Sequence, residues 1–201
     1  MKTNYNALQK AQINSVISKG EKPKLLMHAC CAPCSTACLE RVSEFFDITV
    51  YYYNPNITSE TEYNKRLNEL KNFLSERYDG KIKLLAEPFD ADSFYNAVKG
   101  RENDAEGDLR CKICYALRLN KTALTSKEKG FDYFTTTLSV SPHKNAIWLN
   151  EIGEQNAKTH GVNYLYADFK KEGGYHRSIE LSKEFNLYRQ DYCGCEFSKN
   201  K

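Results

Sequence analysis

Six of the eight cysteines in this chain fall into three short groups: Cys30-Cys31, Cys111-Lys-Ile-Cys114 and Cys193-Gly-Cys195. Two cysteines three apart on a turn or helix start can direct both thiolates to one cofactor, as in zinc and iron-sulfur sites, and Cys111 and Cys114 meet that requirement. In Cys30-Cys31, successive side chains point apart, which favours a polynuclear centre with one thiolate on each of two irons over a single zinc ion. The glycine between Cys193 and Cys195 frees the backbone to turn two thiols toward one point. That arrangement suits either a metal or a tight, strained disulfide of oxidising potential. Cys38 lies on an apolar helix face and reads as core. Cys34 is open between ligand or redox partner and packed turn residue.

These groups need elements to position them. Lys24–His28 reads as a short apolar strand after Pro23, running straight into the first pair of cysteines. From Ser35 the spacing of Cys38, Leu39, Val42, Phe45 and Phe46 predicts a helix, and residues 48–53 a second strand. Tyr63, Leu67, Leu70 and Leu74 mark the inner face of a long charged helix, and residues 82–86 a third strand. After a short helix near residues 92–99, GRENDAEGDLR reads as a mobile loop, a candidate lid leading into Cys111. A helix carrying Cys114, Leu117 and Ala123 leads to a fourth strand at 132–137. Ser141-Pro142 has the signature of a helix start, and 164–167 and 176–186 read as a fifth strand and last helix. The alternation predicts one α/β domain, a mainly parallel sheet with helices on both faces and the site at the strand carboxyl ends. We place its boundaries at 23–201, with an amino-terminal arm over 1–22.

With 201 residues, the chain is long enough for one well-cored domain, which at this size buries about 70% of the surface of the unfolded chain. Its net charge of +3 is mild and its charges are interspersed, so contact with a nucleic acid needs a patch assembled by the fold. The opening residues contain no signal-peptide-like apolar run, and no stretch approaches bilayer-spanning length. The expectation is a cytoplasmic protein with no membrane partner. In a reducing compartment eight cysteines are not a disulfide framework, which leaves metal or redox chemistry.

The strings LLMHACCAPCS, YYYNPNI with EYNKRLNEL, CKICYALRL, TTTLSVSPHKN and ADFKKEGGYHRSIELSKEFNLYRQDYCGC, in this order over most of 24–195, together resemble the QueH-type epoxyqueuosine reductases. The resemblance implies a Rossmann-like fold related to the adenine nucleotide hydrolases. It also implies reduction of epoxyqueuosine to queuosine in tRNA, the last step of queuosine biosynthesis. A 4Fe-4S cluster is then expected on Cys30, Cys31, Cys111 and Cys114. Cys193 and Cys195 are expected to be redox-active or to hold a second, mononuclear iron. The partners implied are a tRNA with epoxyqueuosine in its anticodon loop and an electron donor that the sequence does not identify.

Turning an epoxide into an alkene takes two electrons, two protons and loss of the oxygen as water, so a general acid is required. Asp168 is the first candidate, ahead of His28, His143 and Tyr175. Lys144, Lys170, Lys171, Arg177 and Arg189 are expected at the pocket mouth against phosphates, and Tyr52, Tyr53 and Tyr175 as stacking platforms for a splayed-out base, with strand alternation turning only one of Tyr52 and Tyr53 inward. Two other readings compete. An ATP-dependent tRNA-modifying enzyme of this fold would carry a glycine-rich loop after the first strand, where this chain has HACCAPCS. A zinc-binding module for RNA or protein would use the C-x-x-C and C-x-C pairs and leave Cys30-Cys31 without a role.

Overall fold

The computed structural model describes residues 3–199. Five strands, β1 (Lys24–His28), β2 (Asp47–Tyr52), β3 (Lys83–Ala86), β4 (Tyr133–Thr136) and β5 (Asn163–Tyr164), form one parallel sheet in the order β3-β2-β1-β4-β5. The chain winds outward from β1 on one side and then resumes on the other side with β4. This reversal opens a crevice beyond the carboxyl ends of β1 and β4, the place where doubly wound sheets hold their ligands.

Seven helices among the described residues cover the sheet: α1 (Tyr5–Ser18), α2 (Ala32–Val42), α3 (Glu60–Tyr78), α4 (Asp92–Val98), α5 (Leu109–Glu128), α6 (Ala146–His160) and α7 (Gly174–Glu184). The side-chain alternation of the strands divides the core. Leu25, Met27, Ile48, Val50 and Tyr52 pack with residues of α1, α2 and α3, whereas Leu26, Tyr51, Tyr53 and Phe134 meet Tyr115 and Leu119 of α5 and Leu149 of α6. Because both faces are covered, Tyr52 and Tyr53 are both buried, contrary to the expectation that only one points inward. The Tyr52 hydroxyl donates to the Tyr63 carbonyl at 2.9 Å, and the Tyr53 ring stacks on Tyr51 at 6.2 Å. Neither lines the main cavity, so neither offers a platform for a base there.

The segment ahead of Pro23 is largely the helix α1, capped by Asn4, whose side chain accepts from the Ala7 N–H. It buries Ile13 and Val16, and Gln12 donates to the Tyr164 carbonyl and accepts from the Tyr166 N–H at the short β5 edge. The fifth strand is only Asn163–Tyr164 and the last helix starts at Gly174, and two helix starts move by about a turn or more. Helix α2 begins at Ala32, one turn before Ser35, because Pro33 fits the first turn without losing a hydrogen bond. Ser141-Pro142 starts no helix: Ser141 Oγ accepts from the His143 N–H within a turn, and α6 is capped by Asn145, whose Oδ1 accepts from the N–H groups of Ile147 and Trp148.

The stretch expected to be a mobile lid is tied down by Arg110, a 2% exposed residue. Its Nη1 donates to the carbonyls of Arg101, Glu102 and Asp104, and its Nη2 to the carbonyl of Phe197 at 3.5 Å. One guanidinium thus gathers several carbonyls of a loop outside any helix or strand and joins it to the 3-10 turn at Glu196–Ser198. Arg110→Met is expected to strand several of these acceptors and to cost about 2–4 kcal/mol, read as a lower urea midpoint together with faster amide exchange over 101–108.

Candidate metal and redox centre

Cys31 has extended backbone angles and forms the N-cap of α2, so the chain turns from strand to helix between Cys30 and Ala32. The turn brings the two adjacent thiols together: Cys30 Sγ and Cys31 Sγ are 3.7 Å apart, and Cys34, in the first turn of α2, completes a triad whose sulfurs all lie within 4.8 Å of one another. This corrects the view that adjacent cysteines must diverge. A separation of 3.7 Å is about the edge of a tetrahedron of thiolates at roughly 2.3 Å from one ion. The donor set is all sulfur, largely buried, at a helix amino terminus, and it fits a thiophilic metal or an iron-sulfur centre. Hydrogen bonds from Cys31 and Cys34 hold the Cys30 thiol well below its usual range, and their role as donors raises both of them.

The other two groups converge on the same region. Cys111 sits in the first turn of α5, accepts from the Gly107 N–H at 3.3 Å and packs against the core cluster that contains Cys30 and Cys31. Cys114, one turn on, packs with Cys195 and Cys193. The C-x-x-C pair therefore spans the distance between the triad and the C-G-C pair. Cys38 is core, as expected: its fully buried thiol donates to the Cys34 carbonyl.

The C-G-C segment is clamped onto the loop between β2 and α3. Asn56 Nδ2 and Arg66 Nη1 donate to the Cys193 carbonyl at 3.2 and 3.3 Å, and the Thr58 N–H to the Gly194 carbonyl at 3.4 Å. Arg66 is fully buried, paired with Glu62 at 2.7 Å and stacked on Tyr192. Gly194 has φ +100°, and a Cβ there would stand 2.8 Å from Ile57 Cγ1. Gly194→Ala should lower stability by about 1–3 kcal/mol in reducing urea titrations, because backbone strain and collision act together. A change below 0.5 kcal/mol would show that the clamp yields freely. A hydrogen bond from Cys195, followed by the Lys144 ammonium and Ser198, holds the Cys193 thiol low despite its burial, and Cys195 is correspondingly raised.

A cavity of about 440 Å³ opens onto these groups. Cys30, Cys34 and Cys193 line it together with Arg118, Lys144, Tyr175, Arg189 and Gln190. Gln190 Nε2 donates to Cys31 Sγ at 3.1 Å, which closes the near-terminal segment over the triad. The Lys144 side chain is only 10% exposed, with Glu106 4.0 Å away. Burial opposes its charge, but the Cys193 thiolate and Tyr115 outweigh burial and raise its pKa.

Most of the remaining candidates lie elsewhere. Asp168 and Lys170 pair with each other at 2.8 Å, the Lys171 carbonyl is held by Arg41, and Arg177 is engaged by Glu40 and Glu180 on the outer side of α7; none lines the cavity. His28 is fully buried: its Nε2 donates to the Tyr53 carbonyl at 3.0 Å, so its Nδ1 accepts from the Thr136 hydroxyl. Burial and the nearby Arg118 lower its pKa to about 4, so it is a neutral packing residue. His143 does line the cavity. Sequence reasoning passed over Arg66, Arg118 and Gln190. The first two left a signal, a charged residue on an apolar helix stripe, since Arg66 stands between Tyr63 and Leu70 and Arg118 one turn after Cys114.

A doubly wound α/β protein with thiols from three separate segments around one cavity at the strand carboxyl ends belongs to the class of cysteine-based metal or redox proteins. The profile of a family described as epoxyqueuosine reductase QueH matches residues 25–201. Proteins named epoxyqueuosine reductase QueH are similar over nearly the whole chain. That of Streptococcus pyogenes serotype M1 is 40% identical over 200 residues, 98% of this chain and 78% of the relative, and that of Staphylococcus aureus strain Mu50 39% over 202 residues, 98% and 84%. That of Thermotoga maritima is 36% identical over 179 residues, covering 87% of this chain and 89% of the relative. The chain belongs to the epoxyqueuosine reductase QueH family. No helix among the described residues is long and apolar enough to cross a membrane.

Proposed function

We propose that this protein reduces epoxyqueuosine to queuosine in tRNA, in the cytoplasm, at the cavity beyond β1 and β4. The observation that carries the reading is the meeting of Cys30, Cys34 and Cys193 with the buried Lys144 and Arg118 at one cavity. Cys30, Cys31, Cys111 and Cys114 would hold a 4Fe-4S cluster, with Cys34 beside them as a further thiolate for that cluster or for a second iron shared with Cys193 and Cys195. When bound, such a cluster supplies electrons one at a time.

The reaction consumes an epoxide, two electrons and two protons and yields an alkene and water. Tyr175 and Tyr192 on the cavity wall suit stacking of the modified base, and Arg189 and His143 suit the flanking phosphates. The Lys144 ammonium is placed to protonate the oxygen as its carbon bonds break, since an alkoxide is far more basic than an amine. Cys193, whose thiol is held low, and Cys195, whose thiol is raised, form a dithiol that would give up two electrons and two protons on closing to a disulfide. A strained C-x-C disulfide is oxidising, so its dithiol is a weak reductant, and the pair serves better as relay or ligand than as the electron source. An external electron donor is required.

The reading is tested by giving anaerobically reconstituted protein a chemical reductant and tRNA carrying epoxyqueuosine, then analysing nucleosides by mass spectrometry. Queuosine is expected, and its absence with a loaded, reduced centre would sink the proposal. Cys111→Ser should lose the visible iron-sulfur absorbance and turnover together, whereas Cys193→Ser should keep most of the absorbance and lose turnover. A colourless wild-type protein with stoichiometric zinc would favour a binding module instead.

A further inference from the structure

Arg118 stands apart from the other arginines of the chain. It projects from α5 one turn after Cys114 and is 3% exposed, yet it lines the cavity with Cys30, Cys34 and Cys193. Its Nε donates to the Cys114 carbonyl at 3.3 Å, and the guanidinium lies over the Tyr115 ring, 5.9 Å from its centroid. Among the described residues no carboxylate pairs with it, whereas the other two buried arginines, Arg66 and Arg110, are held by Glu62 or by a set of carbonyls. An arginine cannot shed its proton to escape burial, so a buried guanidinium demands negative charge nearby. Here the sulfurs are placed to supply it: Arg118 lines the cavity with Cys30, Cys34 and Cys193 and is tied through Nε to the Cys114 carbonyl, so a member of each cysteine group stands near it.

We propose that Arg118 is a positioning residue that balances the negative charge of the thiolate-bound centre and thereby makes that centre easier to reduce. The inference rests on the metal-centre reading above. Each electron accepted adds one unit of negative charge beside a fixed cation in a water-poor wall, so the cation favours the reduced state over the oxidised one. The Nε tether to the Cys114 carbonyl keeps the charge in register with the C-x-x-C turn, and the two terminal nitrogens remain for the cavity.

The test uses the full chain, loaded anaerobically with iron and sulfide, as wild type, Arg118→Gln and Arg118→Lys. Iron per chain is measured, and each protein is then titrated with a one-electron reductant through mediators while its visible absorbance is followed. At the wild-type midpoint, Arg118→Gln is expected to show a reduced-to-oxidised ratio lowered about tenfold, equivalent to roughly 59 mV for one electron, with Arg118→Lys close to wild type. Loss of iron from Arg118→Gln alone, with Arg118→Lys fully loaded, also supports a requirement for charge. An unmoved midpoint in Arg118→Gln, an equal shift in Arg118→Lys, or loss of iron from Arg118→Lys overturns the proposal. A wild-type chain that takes up no iron would instead overturn the metal-centre reading on which it stands.

Discussion

Cys34→Ala is expected to strip the protein of a tightly held metal while leaving it folded. Cys34 is a half-buried residue in the first turn of α2 that packs at the edge of the core, and its sulfur completes the triad with Cys30 and Cys31. If the roughly 10–16 kcal/mol by which structural zinc binds its peptides is shared among four ligands, one thiolate is worth about 3 kcal/mol. That is about two orders of magnitude in affinity. Metal analysis after dialysis against a chelator reads the effect directly. Cys38→Ala, one turn further along α2 and fully buried, is the control that should keep its metal. Full metal retention by Cys34→Ala would show that the triad is a packing coincidence.

The second large effect falls on Lys144. A lysine at a cavity mouth that only touched phosphate would weaken tRNA binding when replaced and lose this effect in salt. Its side chain is instead nearly enclosed, at the cavity that Cys193 also lines and with Glu106 4.0 Å away. Lys144→Gln should therefore slow single-turnover reduction of the epoxide by roughly 10²–10⁴-fold at saturating tRNA, the span expected for loss of a proton donor. Lys144→Arg restores the charge but not a transferable proton, so it should fold and bind as the wild type does and remain slow. A Lys144→Gln protein within threefold of wild-type turnover would remove the residue from the chemistry.

Much of the architecture was legible because parallel strands buried on both faces read as apolar runs. Lys24–His28 stands where the pattern placed it, and β2, β3 and β4 differ from expectation by no more than one residue at either end. The site was less legible, for local and non-local reasons. Starting α2 at Ser35 leaves Cys34 in a turn of undefined direction, and starting it at Ala32 puts the same thiol on the first helical turn beside Cys30. Three residues of helix decide whether a cysteine is a ligand candidate. Ser141-Pro142 carried a helix-start signature as good as that of Asn145, and the choice between them rests on the chain leaving β4 through a 3-10 turn at Thr137–Val140. Asp168, Lys170 and Arg177 lie in a segment rich in charge, and sequence holds no sign that Lys170 and Asp168 pair with each other or that Glu40 waits on α2 for Arg177. Lys144 and Arg118 reverse the case: their side chains are the sort that usually meets solvent, and only the packing of α5 and α6 against the sheet encloses them.

Gln190, whose amide closes over Cys31, follows it by 159 positions. During synthesis the sulfurs of Cys30, Cys31 and Cys34 therefore leave the ribosome long before the Arg189-to-Cys195 strap that will shelter them, and before α5 brings Cys111 and Cys114 alongside. A nascent chain presents a half-built thiol nest to whatever metal or oxidant the cell offers. Correct loading must wait for the whole polypeptide, and oxygen or copper stress should harm newly made protein far more than the mature pool.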